Sequence, residues 1–272
     1  KSASIITANN SVNQNSLDRI IAQYQDALNK DGSNVNIQLQ LANAYIQKSR
    51  ETGDTQYYNK VDLLMDKLQQ QDSGNPEIYS TRAVIALARH HFADALSLAN
   101  QALQINPHKA LYYGIAADAY TELGQYEKAV DSLQTMVDKR PDYSSFSRIA
   151  YARELHGDFD GARQAIETAI EEGATFPENI AWGYVELGKL EIKTDLNKAE
   201  QRFKQALQLV SNYTPAEEQL GRLAYAKGDN AEAIVHFQKA FETIPLAQYA
   251  TGLGELYSQT GDLVKAEQYY TL

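Results

Sequence analysis

Apolar side chains return every three or four residues along almost the whole chain, the spacing that lays one hydrophobic face along a helix. Leu17, Ile20, Ile21, Tyr24, Ala27 and Leu28 form the first such run. It follows Ser16, a candidate N-cap, and closes at Asp31-Gly32-Ser33-Asn34. Leu39, Leu41, Ala42, Tyr45 and Ile46 mark a second helix, and Tyr58, Val61, Leu64, Met65 and Leu68 a third. Between these two, residues 48–56 (KSRETGDTQ) read as a turn longer than the others. The dense turn signal Asp72-Ser73-Gly74-Asn75-Pro76 then opens a stretch with a fixed period. Tyr79, Ala83, Phe92, Ala95 and Pro107 recur 34 residues later as Tyr113, Ala117, Tyr126, Ala129 and Pro141. Small residues stand where two helices approach closely and aromatics where a gap must be filled, the alternation by which facing helices interdigitate.

The pattern continues to the end. Gly157, Phe159, Ala162, Ile166 and Ala169 repeat Gly124, Tyr126, Ala129, Leu133 and Met136 at 33 residues. After a break at Gly173–Pro177, Leu187-Gly188, Ala199, Phe203 and Ala206 answer to Leu220-Gly221, Ala233, Phe237 and Ala240. Leu253-Gly254, Tyr257, Gly261, Ala266 and Tyr270 close the series. No strand pattern interrupts it. The expected fold is all-α, with about fifteen helices, and a missing residue near Lys193-Thr194-Asp195 is expected to shorten one turn. Periods of this length denote stacked helix pairs.

These residues resemble the tetratricopeptide repeat (TPR) family, whose 34-residue helix–turn–helix carries an aromatic, a Leu-Gly or Leu-Ala pair and a Tyr in its first helix. Its second helix carries Ala, an aromatic and Ala, and a Pro closes the unit. Tyr113, Ala116-Ala117, Tyr120, Gly124, Tyr126, Ala129 and Pro141 make the fullest match, and the resemblance runs over residues 16–272. The phrase from Ser147 to Asp158 is similar to a form common in bacterial TPR proteins. The resemblance implies a right-handed α-solenoid, a superhelix of about seven to eight units. The unit boundaries read 16–34 (a half unit), 35–75, 76–107, 108–141, 142–177, 178–212, 213–245 and 246–272 (truncated), after a leader at 1–15. Tyr269-Tyr270 beside an uncapped end reads as a solenoid that continues or is cut short, because a terminal repeat needs a polar cover.

The resemblance also implies a non-catalytic scaffold that binds a protein or peptide in a concave groove built mainly from the first helix of each unit. On the face opposite the small packing residues stand Asn43, Asp118, Glu122, Tyr151, Glu154, Lys189, Lys193, Arg222, Tyr225 and Glu255, with Trp182 at the start of its helix. Exposed aromatics among charges suit a peptide groove, whereas the simpler reading of Tyr151, Trp182 and Tyr225 is packing between helices. Some TPR proteins clamp a C-terminal carboxylate with two Lys and two Asn. The comparable positions here hold Asn43, Val84, Asp118, Tyr151, Lys189, Arg222 and Glu255, which is no such clamp. Asp118, Glu122 and Glu154 make an acidic spot suited to a basic segment, and Lys189, Lys193 and Arg222 a basic one. Arg153 stands where the family places an aromatic such as Tyr120. At a packing position it must find acceptors, with Asp118, Glu122 or a neighbouring carbonyl as the expected partners.

Composition narrows the field of partners. The chain has 272 residues, 43% hydrophobic and 22% charged, an ordinary globular balance. Its 35 acidic and 25 scattered basic side chains give a net charge of −10, which argues against nucleic acid and anionic membranes. No apolar run approaches the ~20 residues of a membrane span. There is no cysteine, so disulfides and thiolate chemistry are excluded. That absence, the Ser- and Asn-rich leader and a start at Lys1 lean toward an exported or periplasmic chain. His90-His91 point about 100° apart on a helix and make no metal pair, and His108, His156 and His236 stand without companions in the sequence. No phosphate-binding, nucleophile or metalloprotease motif is present. No metal, cofactor or catalytic residue is expected. The alternative to a protein-binding scaffold is a regulatory TPR module that senses a small molecule, which requires a more enclosed pocket.

Overall fold

The computed structural model describes the backbone from Ala3 and the side chains from Leu17 to Leu272. The side chains of the leader expected at 1–15 lie outside the described residues, but its backbone is helical from Ala3, so Ser16 stands inside α1 and not at its N-cap. Among the described residues there are fifteen helices and no strand. They divide into two compact units, residues 13–172 and residues 173–272, and the division falls in the sequence at the break marked by Gly173–Pro177; the part of α1 before Asn13 groups with the second of them.

The first unit holds α1 (Ala3–Lys30) from Asn13 onward, α2 (Val35–Thr52), α3 (Gln56–Gln71), α4 (Pro76–Ala88), α5 (Phe92–Ile105), α6 (Ala110–Glu122), α7 (Tyr126–Lys139), α8 (Tyr143–Leu155) and α9 (Phe159–Glu172). The second holds α10 (Pro177–Glu191), α11 (Leu196–Leu209), α12 (Thr214–Ala226), α13 (Asn230–Thr243), α14 (Ala247–Gln259) and α15 (Leu263–Tyr270). Helices pack as consecutive pairs (α2 with α3 through α8 with α9, then α10 with α11 through α14 with α15), and within each unit the first helices of neighbouring pairs also touch. Local chemistry sets the ends. Asn34 and Asn75 accept the amide hydrogens of Ile37 and Glu77, Pro76 and Pro177 open their helices, and Asp142 and Ser145 cap each other reciprocally. Gly124 turns the chain with φ 71°, and 34 residues earlier His90 holds φ 59° in the same turn.

The core follows the repeat. Ala83, Ala95, Ala117 and Ala129 are buried. In the second unit, each glycine of the Leu-Gly pairs lies beneath a ring of its partner helix. A Cβ on Gly188 would stand 2.4 Å from Phe203, on Gly221 2.9 Å from Phe237, and on Gly254 2.6 Å from Tyr270. Burying a side chain such as Phe203 is worth roughly 1.5–3 kcal/mol. The largest fully buried side chain of the first unit is Tyr112, adjacent to the repeat's Tyr113, and its hydroxyl donates to Glu77 at 2.9 Å. Tyr213 repeats this latch on Glu178 at 3.1 Å.

Two turns differ from expectation. Residues 48–56 are largely the last turns of an 18-residue α2, where α4, α6 and α8 have 13 residues. Lys48 is buried there against Asp18 of α1 at 2.7 Å, and Gly53 closes the helix on the Ser49 carbonyl. Near Lys193–Asp195 the turn is not shortened. Instead α10 extends to 15 residues, Ile192 stays right-handed at φ −51°, and buried Glu191 meets Arg202 of α11 at 3.3 Å.

Candidate peptide-binding surface

The first helices α6 and α8 carry the densest set of candidate residues. Asp118 does not face solvent as a free acid. Arg148, which the repeat pattern did not single out, reaches across from α8 and grips it with two nitrogens at 2.8 and 2.9 Å. Its remaining terminal nitrogen donates to the Ser144 carbonyl at 3.0 Å. Burial works against the guanidinium charge, but Asp118 outweighs it and holds the Arg148 pKa above its ordinary value. Gly114 leaves the room, since a Cβ there would meet Met136 Sδ at 2.7 Å and Arg148 Nε at 3.2 Å. The signal available in the sequence was an Arg 30 residues after an Asp, one turn from the repeat period.

Beyond that pair, Tyr151 is 46% exposed on α8. Partial burial first, then the carboxylates of Glu122 and Glu154, push its phenol pKa up. Tyr151 thus lies within electrostatic reach of Glu122, Glu154 and Asp118, and the acidic spot is narrower than the sequence implied because Asp118 is paired with Arg148. Asn43 is exposed on α2 of the same unit.

Arg153 requires a correction. It does not sit inside, nor does it reach Asp118 or Glu122. Its side chain is 47% exposed and lies 3.8 Å from Asp158 in its own repeat. Asp158 in turn accepts the Gly161 amide hydrogen at 2.9 Å at the start of α9.

The remaining candidates belong to residues 173–272. Trp182 is partly buried on α10, Lys189 and Lys193 are exposed at its end, Arg222 and Tyr225 are exposed on α12, and Glu255 is exposed on α14. The expected basic spot is largely compensated. Lys189 pairs with Glu186 at 2.8 Å and Arg222 with Glu218 at 2.8 Å. Tyr225 accepts from Gln259 at 3.0 Å. His236, alone in the sequence, places its Nδ1 on the buried carboxylate of Glu217. Among the described residues no group of three His, Asp or Glu side chains could hold a metal ion, and no helix is long and apolar enough to cross a membrane.

Paired helices with small-on-aromatic contacts at this period define a helical-repeat protein. Family models described as tetratricopeptide repeat match residues 86–155 and 218–272, so the chain carries tetratricopeptide repeats over those stretches. Over 89 residues it is 42% identical to the heat-shock protein cognate co-chaperone sgt12 of Aspergillus fumigatus, covering 32% of this chain and 26% of that protein. Over 219 residues it is 26% identical to the CTR9 homolog of Arabidopsis thaliana, covering 76% of this chain and 20% of that protein. The chain therefore spans about a quarter or less of those two relatives. Among solved structures, the APC/C hetero-tetramer Cut9-Hcn1 superposes with a TM-score of 0.72 at 14% identity, over 98% of this chain and 50% of that one. The type IV pilus biogenesis factor PilW gives 0.60 at 18%, over 71% and 90%. The human IFIT1 dimer with m7Gppp-AAAA gives 0.71 at 17%, over 94% and 67%.

Proposed function

We propose that this chain is an interaction scaffold and that the first-helix face of α6 and α8 binds a basic segment of a partner protein. The observation that supports the reading is the half-exposed Tyr151 ring, whose phenol feels the carboxylates of Glu122 and Glu154. An aromatic at that exposure offers contact area at little entropic cost, and two carboxylates select for Lys or Arg beside it. The helices that carry these groups are packed on both neighbours, so binding requires little ordering of the scaffold. Asn43 of the first unit and Trp182, Lys189, Lys193, Arg222, Tyr225 and Glu255 of the second are proposed as further contact positions on their own units.

A nucleic-acid ligand is compatible with the fold, given the capped RNA named with the IFIT1 neighbour. The net charge of −10 and the paired state of Lys189 and Arg222 weigh against it here. Panning a random peptide library on the chain is expected to enrich Lys- or Arg-containing peptides. Glu122→Gln and Tyr151→Ala should each weaken them about tenfold, a loss of about 1.4 kcal/mol. Enriched peptides that bind both variants as tightly as wild type would contradict the reading.

A further inference from the structure

Arg153 breaks the packing register, and the break leaves a hole. In the preceding repeat, Tyr120 of α6 packs on a cluster of Ala83, Ala99, Ile115 and Ala116, with Leu96 beside it. Thirty-three residues on, Arg153 occupies the Tyr120 position of α8, and the counterparts of Leu96 and Ala99 on α7 are Val130 and Leu133. The Arg153 side chain turns outward to Asp158, and no Phe, Tyr or Trp lines the place. What remains is a cavity of about 360 Å³ between α7 and α8, whose apolar wall is Val130, Leu133, Ile149 and Ala152 and whose polar lining includes Arg153, His156 and Asp158. That volume falls within the ~300–1,000 Å³ of small-ligand pockets.

The rim has its own chemistry. At 3.8 Å the Arg153–Asp158 contact is an ion pair longer than a hydrogen bond. Asp158 is already engaged by the Gly161 amide. A Cβ on Gly161 would stand 2.4 Å from the Arg153 guanidinium and 2.1 Å from Asp158, so this arrangement depends on a glycine where the preceding repeat has Lys128. The His156 ring, with Nδ1 donating to the Ala152 carbonyl, stands edge-on to Tyr126 at the same rim.

We infer that the α7–α8 cavity is a docking pocket for an aromatic side chain of a partner polypeptide, followed in that polypeptide by a carboxylate residue that pairs with Arg153. The aromatic fits because the repeat places its own aromatic at this register. The carboxylate fits because a guanidinium offers five donors in a planar fork and the contact to Asp158 uses none of them at full strength. The site rests on the scaffold reading for the class of its partner, but it takes an acidic peptide on the α7 side of α8 rather than a basic one at Tyr151.

The test titrates the full chain, followed by amide NMR, with synthetic peptides that place Phe-Asp, Phe-Lys or Ala-Asp in a Gly-Ser background. Phe-Asp should shift Val130, Ile149, Ala152 and His156 and bind about tenfold tighter than either control. Arg153→Tyr, which restores the family aromatic, should abolish those shifts while its melting temperature stays at or above wild type. Arg153→Gln should keep Phe binding but lose the preference for Asp over Lys. The inference is overturned by no shifts at millimolar peptide, by shifts confined to other residues, or by an Arg153→Tyr chain that binds unchanged. It is also overturned if the same resonances shift with protein concentration alone, since a second copy would then fill the pocket. A basic peptide that shifts Tyr151 while Phe-Asp shifts nothing would sink this pocket and leave the scaffold reading standing.

Discussion

Glu200 on α11 holds two ammonium groups, Lys204 one turn along its own helix and Lys227 from the end of α12. Hydrogen bonds from Lys204 and then Lys227 lower its pKa from 4.5 to about 2. A carboxyl whose folded pKa is depressed contributes stability above its unfolded pKa and loses it as the pH falls through the folded one. The contribution should therefore be full above about pH 4.5 and fade toward pH 2. Urea midpoints measured across that window should fall less steeply for Glu200→Gln than for wild type. Parallel acid limbs would mean that the two lysines do not hold the carboxylate in solution. Such pairings were poorly legible in the sequence. Lys227 lies 27 residues from Glu200 and Arg148 lies 30 from Asp118, neither at the repeat period, so only the stacked helices reveal which charges meet.

At the scale of the helix pair, the sequence was far more legible. The residues that decide how close two helices come recur at fixed intervals and act on the neighbour next in the chain. Gly188 beneath Phe203 is the sharpest case. Gly→Ala inside a helix ordinarily gains up to about 1 kcal/mol. At Gly188 the added methyl would lie 2.4 Å from the ring, so the variant should instead lose about 1–3 kcal/mol by overpacking. Gly252 on α14 is the control, because its Cβ would sit 3.5 Å from Phe237, an ordinary contact. Chemical denaturation should rank Gly252→Ala at or above wild type and Gly188→Ala below it; the reverse order would mean that the α10–α11 register is wrong. The same logic explains which features of the helices the pattern does not carry. The pattern marks which positions face a partner, but it does not reveal that Arg153 can leave its packing position for Asp158, or that α2 and α10 continue helically past the usual turn. Those outcomes depend on a neighbour's charge, Asp158 for Arg153, Asp18 for Lys48 and Arg202 for Glu191.

The described residues form two compact units of paired helices, and the break between them in the sequence at Gly173–Pro177 was visible as a lapse in the repeat. The family pattern is densest in α4 to α7, where it states the packing and little about a partner. Individuality begins with α8, which contributes Arg148, Tyr151 and Arg153 within six residues. The proposed scaffold role therefore places the contact on first helices and leaves second helices as their support. Hydrogen–deuterium exchange on the full chain, with and without a saturating basic peptide, reads this helix by helix. Binding at Glu122, Tyr151 and Glu154 should slow exchange in α6 and α8 and leave the solvent-facing amides of α5 and α9 unchanged. Protection confined to α5 and α9, or none at saturation, would contradict a first-helix binding face.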